Sequence, residues 1–176
     1  EMEIITYPGS GIDEVADIEG KTLTHTSQTS NSGYKAPTAL MKSEFGLISE
    51  EDYDVQFSGK HDNSVLGVAN QDYEVATVAN SVKERMIKRG VVDADKLEVI
   101  YTSQTFPTTG YGTVYNLKPS LQEDIKEAFF SFDWEGTGLE EEFGKNGEEQ
   151  FIEITFKEHW DVIRKIDAAN DVTYEC

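Results

Sequence analysis

A run of small polar residues, Thr29-Ser30-Asn31-Ser32-Gly33, follows a β-prone segment and precedes a stretch with helical periodicity. The first turn of a helix offers up to four free backbone N–H groups and a partial positive charge. The hydroxyls of Ser30 and Ser32 add further donors, and Gly33 allows the backbone to approach a ligand closely. This combination suits a tetrahedral oxyanion. The same residues also fit an ordinary N-cap with a flexible turn, and the pattern by itself leaves both interpretations open.

A second polar junction carries His61 and Asp62, and it also lies between a predicted strand and a predicted helix. In a sheet of parallel strands, such junctions gather at the carboxyl edge, so we expect His61 to lie near the serine loop. His61 could donate a hydrogen bond to an oxyanion, and as imidazolium it would add charge. Asp62 is a good N-cap residue, and a histidine at a helix start is also a common capping or surface residue.

Catalytic and cofactor-binding patterns receive less support from the sequence. Ser30 or Ser32 with His61 and Asp62 supplies the residue types of a hydrolytic triad, but Asp62 adjoins His61 and is poorly placed to orient it. No Gly-x-Ser-x-Gly nucleophile elbow is present. The three histidines show no metal-ligand spacing, and neither glycine-rich nucleotide motif occurs. We therefore predict no catalytic residue, no metal and no other cofactor.

The composition of the 176 residues excludes several classes of protein. Thirty-four acidic residues against fifteen basic ones give a net charge of −19, which disfavours nucleic-acid and anionic-membrane binding. The single cysteine, Cys176, cannot form an internal disulfide. No apolar run approaches a membrane span, and no export signal is present. Because Glu1-Met2 leads directly into a strand-like run, we expect the chain to be a piece of a longer protein.

The elements that must position these junctions alternate between strand and helix. A strand, a polar junction and a helix follow one another at least three times between residues 21 and 90, which predicts an α/β fold with a mostly parallel sheet flanked by helices. Predicted strands lie at 4–7, 23–25, 55–57, 73–79, 97–101 and 112–115. Predicted helices lie at 34–45, 65–69, 82–89, 119–132 and 158–169.

Several segments, taken in order, resemble the phosphate-, phosphite- and phosphonate-binding proteins of ABC importers. They include Asp-Ile-Glu-Gly-Lys-Thr-Leu at 17–23, the serine loop, Phe-Ser-Gly-Lys-His-Asp at 57–62 and Val-Ile-Tyr-Thr-Ser at 99–103. The resemblance covers about residues 15–130. It implies one lobe of a type II periplasmic binding protein with the C-terminal helices of the other lobe. The implied parts are a crossover strand at 1–8, the second ligand-binding lobe at 9–103, a return crossover at 104–116 and the C-terminal part of the first lobe at 117–176.

The resemblance implies capture of a small phosphorus oxyanion (phosphonate, phosphite or phosphate) and its delivery to an ABC permease, without chemistry. The protein would be exported to the periplasm or the outer face of the cytoplasmic membrane, as a lipoprotein in the latter case. Implied ligand-binding residues are Ser30, Asn31, Ser32, Gly33 and His61. Further pocket candidates are Thr29, Asp62, Ser81 and Thr109.

The sequence departs from the family in its implied binding site. Asn31 replaces a hydroxyl found in some relatives, and it still offers an N–H₂ donor. Ser81 and Thr109 stand where some relatives place carboxylates for an aminoalkyl group, which favours a ligand without a cationic tail.

Most of the family's first lobe has no counterpart in the chain. We therefore expect the apolar faces of 119–132 and 158–169 to have no sheet to cover, so that these helices either pack on another copy of the chain or are partly disordered. Two alternatives to a transport protein remain open. One is a small-molecule-sensing regulatory domain of the same fold, which is normally tethered to a helix-turn-helix that this chain lacks. The other is an enzyme acting on phosphate esters.

Overall fold

The computed structural model of the chain describes residues 1–105, 111–144, 148–155 and 157–169. Its contacts form two units. One contains Glu1–Thr108 with Trp160–Cys176, and the other contains Thr109–His159. Among the described residues, no helix combines the length and the apolar character needed to cross a lipid bilayer.

A five-stranded sheet forms the centre of the first unit, with the strand order β3-β2-β4-β1-β5. Strand β2 pairs in parallel with β3 and with β4, whereas β1 is antiparallel to both β4 and β5. The parallel core is therefore the part of the sheet built by the repeated strand-to-helix alternation. The strands are β1 Met2–Thr6, β2 Thr22–His25, β3 Asp54–Phe57, β4 Val75–Ala79 and β5 Glu98–Thr102.

Helices follow the strands at the expected junctions. A π-helical turn at Asn31–Lys35 leads directly into the first α-helix. Within the described ranges, the α-helices are α1 Ala36–Phe45, α2 His61–Ala69, α3 Asn80–Lys88, α4 Pro119–Phe130, α5 Gly138–Phe143 and α6 Asp161–Ala169.

The two central strands β1 and β4 are buried along their whole length. Their side chains alternate between two apolar clusters, one on each face of the sheet. Ile4 and Val75 lie in the cluster that includes residues of α1 and α6. Ile5 and Ala76 lie in the other, which includes residues of α2 and α3. Burial on both faces explains why adjacent apolar residues, such as Ile4 and Ile5 or Val75 and Ala76, occur in these strands instead of a strict alternation with polar ones.

The apolar face of α6 has a partner, so the expectation that 158–169 would have no sheet to cover is wrong. Ile163 and Ile166 are buried in the same cluster as Met41 of α1. The helix therefore extends the cover over one face of the sheet. The amphipathic pattern correctly showed that this helix needs an apolar neighbour, but a pattern in one segment does not identify that neighbour.

The second unit is organised by aromatic side chains. The Phe151 ring lies 5.0 Å from Phe129 and 5.2 Å from Trp134, measured between centroids in edge-to-face geometry. The predicted strand at 112–115 is wrong, because these residues pair with no strand in the described chain. Val114 and Tyr115 have strand-forming side chains, yet both are exposed, and β propensity without a neighbouring edge does not produce a strand.

Candidate functional site

The serine loop lies beyond the carboxyl end of β2 and opens the helical segment that continues as α1. Ser30 is extended (φ −74°, ψ 127°), and its Oγ accepts a hydrogen bond from the Gly33 N–H at 3.0 Å. The Lys35 N–H donates to the Ser30 carbonyl, also at 3.0 Å. Ser30 is therefore a true N-cap, and its hydroxyl proton remains available to a ligand because the cap uses only a lone pair.

Gly33 is required at its position by close packing. A Cβ built on Gly33 would lie 1.9 Å from Oγ1 and 2.7 Å from Cγ2 of Thr26. The Thr26 N–H also donates to the Gly33 carbonyl at 3.0 Å, which ties the end of the loop back to the chain that leaves β2. Any larger residue would push the loop away from β2, so the glycine sets how closely the serines approach the sheet edge.

His61, the first residue of α2, meets the serine loop at the same sheet edge. Its Nε2 lies 3.4 Å from Ser30 Oγ and 3.5 Å from Ser32 Oγ. These distances are long for hydrogen bonds, so the three groups converge without saturating one another. The predicted proximity of the serine loop and His61 is present, whereas their role as ligand-binding residues stays a prediction.

A backbone amide fixes which nitrogen of His61 carries the proton. The Ala79 N–H, at the end of β4, donates to His61 Nδ1 at 3.0 Å. Nδ1 is then the acceptor of the neutral ring, and the proton lies on Nε2, which faces the serine hydroxyls. Burial lowers the pKa of His61, and the nearby Asp62 carboxylate only partly opposes this effect. The site therefore favours neutral His61, which donates through Nε2–H, over the imidazolium that the sequence also allowed.

The same geometry argues against a hydrolytic triad. In a triad, Nδ1–H donates to a carboxylate, which leaves Nε2 free to take the serine proton. Here Nδ1 accepts from a backbone amide, so the neutral ring presents a proton to Ser30 and Ser32 instead of a lone pair. No group of three metal-ligating side chains occurs among the residues that the structure describes.

The other predicted pocket residues that the structure describes lie at the same edge and form no hydrogen bond with His61. Thr29, Asn31 and Asp62 are exposed beside the two junctions. Ser81 is half-buried in the first turn of α3, directly after β4. Thr109 lies outside the described residues.

Three groups that shape the site, the side chains of His25 and Thr77 and the Ala79 amide, were not predicted from the sequence. His25 Nδ1 lies 3.2 Å from the Gly33 carbonyl and 3.0 Å from Thr77 Oγ1. The Thr77 hydroxyl itself donates to the Gly33 carbonyl at 2.8 Å. Burial lowers the pKa of His25 to about 4. The position of His25 at the end of β2, close in sequence to the loop, was an available signal, whereas no side-chain signal could reveal the Ala79 amide.

Comparison with known proteins supports the family resemblance seen in the sequence. Residues 1–160 match the model of a family described as periplasmic substrate-binding proteins of phosphonate ABC transporters. The chain is 26% identical over 167 residues to the phosphate-import protein PhnD of Mycolicibacterium smegmatis, with 91% of the chain and 51% of that protein aligned. The chain therefore spans about half the length of this curated relative.

Two solved structures share the fold. PhnD1 from Prochlorococcus marinus in complex with methylphosphonate superposes with a TM-score of 0.75 at 14% identity, over 98% of this chain and 67% of that one. The binding protein of an ABC phosphonate transporter from Pseudomonas aeruginosa gives 0.72 at 18% identity, over 97% and 58%. At these identities the likeness establishes the fold alone. The predicted class is confirmed as α/β, with the architecture of a type II periplasmic binding protein.

Proposed function

Because the chain belongs to the family of periplasmic substrate-binding proteins of phosphonate ABC transporters, we propose that it captures a small phosphorus oxyanion for delivery to an ABC permease. This proposal depends mainly on one observation: the Ser30 and Ser32 hydroxyls both lie close to His61 Nε2. All three groups can donate to an oxyanion at one point of the sheet edge.

In this proposal the ligand is held by neutral donors. The Ser30 hydroxyl has its proton free, Ser32 adds a second hydroxyl, and His61 adds its Nε2–H. The first N–H groups of the helical turn at Asn31–Lys35 complete the set, with the Asn31 side-chain amide beside them. Fixed local donors of this kind explain how a chain with a net charge of −19 can hold an anion.

The ligand class proposed is phosphate, phosphite or methylphosphonate. Ser81 is a hydroxyl where some relatives place a carboxylate, so a cationic aminoalkyl tail would lose a partner there. Thr109 is also a hydroxyl where some relatives place a carboxylate, and we propose the same consequence for it. Two similar proteins, a phosphate-import protein and a protein in complex with methylphosphonate, have ligands within this class.

The family consists of transport binding proteins and is not an enzyme family. We propose that this chain likewise performs no turnover, acts in the periplasm or at the outer face of the cytoplasmic membrane, and binds no cofactor. Residues 9–103 would form one ligand-binding lobe, and closure of a second lobe would complete the site. A chromogenic phosphate ester tests the enzymatic alternative: hydrolysis that disappears in His61→Ala would contradict the transport assignment.

Self-association is a further part of the proposal. Leu121 and Phe130 of α4 are 44% and 40% exposed, so this helix presents apolar surface to solvent. We expect light scattering to show association of the chain through this surface. A monomer at all concentrations would argue against it.

Isothermal titration calorimetry tests the ligand assignment directly. The chain, alone and with a complete first lobe, is titrated with phosphate, phosphite, methylphosphonate and an aminoalkylphosphonate. We expect binding of at least one of the first three and weaker binding of the fourth.

Variants locate the binding site. His61→Ala and Ser32→Ala each remove one donor to a charged ligand, which corresponds to an affinity loss of about tenfold to a hundredfold. Ser43→Ala, an exposed serine in the last turn of α1, is the matched control and should bind as the unmodified chain does. Failure of all three small oxyanions to bind would refute the assignment.

A further inference from the structure

A buried histidine lies beneath the serine loop, and the proposed function assigns it no role. His25 is the last residue of β2 and has no exposed surface. Its Nδ1 lies 3.2 Å from the Gly33 carbonyl oxygen. That oxygen also accepts from the Thr77 hydroxyl at 2.8 Å and from the Thr26 N–H at 3.0 Å. Donors from β2, from the chain that follows it and from β4 thus converge on one carbonyl of the loop.

The contact with Gly33 determines the tautomer of His25. A carbonyl oxygen only accepts hydrogen bonds, and the one hydroxyl proton of Thr77 is donated to that same oxygen. Nδ1 is therefore the donor at both of its contacts, the Gly33 carbonyl at 3.2 Å and Thr77 Oγ1 at 3.0 Å, and it carries the proton. Nε2 is then a bare lone pair, and it has no hydrogen-bond partner within the described parts of the chain. The ring lies edge-on to Tyr34, with 5.1 Å between centroids. Since burial lowers the pKa of His25 to about 4, the ring is neutral near pH 7.

Leaving Nε2 without a partner in the interior is unfavourable. An apolar side chain of similar volume would avoid this cost, whereas only a donor at the Nδ1 position can bond the Gly33 carbonyl. The favourable contribution of the His25 imidazole therefore comes from Nδ1, which faces the loop.

We propose that His25 is a positioning residue that holds the serine loop in its ligand-binding shape. Both backbone polar groups of Gly33 are hydrogen-bonded, and we call this arrangement the clamp. The Gly33 N–H donates to Ser30 Oγ, and the Gly33 carbonyl accepts from His25 and Thr77. Ser32 immediately precedes the clamped residue, so the clamp fixes the backbone that directs its hydroxyl toward His61. The effect on ligand affinity rests on the proposed function, whereas the effect on the loop does not.

Three variants of the full chain separate positioning from general stability. His25→Leu removes the donor at similar volume. His25→Asn keeps an N–H₂ near the Nδ1 position and removes Nε2. Thr77→Val removes the second side-chain donor with little change in shape, so it keeps the test open if the leucine variant folds poorly.

The first measurement is NMR on the chain without ligand. Long-range nitrogen–proton correlations should show His25 protonated at Nδ1. Hydrogen exchange of the Gly33 amide should be about tenfold faster in His25→Leu and Thr77→Val, as expected for the loss of one hydrogen bond, and close to normal in His25→Asn. Amides of β4 should change little. An Nε2–H tautomer, or equal acceleration of Gly33 and β4, would overturn the proposal.

The second measurement is calorimetric titration of the same variants with methylphosphonate and phosphate. We expect about tenfold weaker binding in His25→Leu and recovery to within about threefold in His25→Asn. Unchanged affinity in His25→Leu would overturn the positioning role at the site. If the unmodified chain binds neither anion, the proposed function fails, while the NMR experiment still decides whether His25 holds the loop.

Discussion

Acidification should destabilise the chain through His25. Burial lowers the pKa of this side chain from 6.5 to about 4 in the folded state. The unfolded chain, with the ordinary pKa, therefore takes up the proton first as the pH falls. The contribution of neutral His25 to stability is complete above pH 6.5, is lost progressively between pH 6.5 and 4, and does not change further below pH 4.

The size of the effect follows from the difference between the two pKa values. At 1.36 kcal/mol for each pH unit, lowering the pH from 7 to 4 removes about 3 kcal/mol from the free energy of unfolding. This is a large share of the 5–15 kcal/mol that is typical of domains. Physically, it is the cost of placing a charged ring in a site where Nε2 has no partner.

Urea unfolding at pH 7, 5.5 and 4, followed by circular dichroism, measures this effect when the chain is compared with His25→Asn. The many carboxylates of the chain titrate over part of the same range, but both proteins share them, so the difference between the two isolates His25. The unmodified chain should lose about 3 kcal/mol relative to the variant. Parallel pH profiles for the two proteins would refute the reasoning.

Three further outcomes follow from the packing and the ion pairs. Gly33→Ala places a Cβ 1.9 Å from a threonine hydroxyl, and we expect a loss of about 1–3 kcal/mol by thermal or urea unfolding. Lys83→Met leaves Glu3, its partner at 2.7 Å, buried without a counter-charge, and should cost about 3–5 kcal/mol in the same assay. In an NMR pH titration, His61 should titrate below the ordinary value of 6.5 and be protonated at Nε2 when neutral.

Matched controls make these outcomes decisive. Gly112→Ala meets no atom within 4 Å and should be nearly neutral. Lys96→Met breaks a pair whose side chains are 53% and 76% exposed, and should cost less than about 1 kcal/mol. Equal effects of the two glycine variants, or of the two lysine variants, would contradict the packing and burial arguments. A His61 titration above 6.5 would contradict the neutral-donor assignment.

The sequence was sufficient to predict the parallel core and the meeting of the serine loop with His61. Both predictions depend on local patterns, because a strand followed by a polar junction and a helix places that junction at a known edge of the sheet. His61 could be placed near Ser30 without knowledge of any side-chain contact for the same reason.

The groups that complete the site depend on contacts between distant residues. His25 and Thr77 are brought to the Gly33 carbonyl by neighbouring strands. His25 is at least close in sequence to the loop, whereas nothing in the local sequence distinguishes Thr77 from other buried β residues. The Ala79 amide that orients His61 belongs to the backbone, so residue type does not reveal it. The cover provided by α6 likewise depends on where a remote helix packs.

The pairing of β1 affects how the chain folds as it is synthesised. This strand is made well before its neighbours β4 and β5, and the Met2 N–H donates to Ser103 Oγ, 101 residues further along the chain. Until then, a strand that is buried along its whole length in the folded chain has unpaired edges, which is a condition that promotes aggregation. We therefore expect the nascent protein to depend on chaperones until β5 has left the ribosome.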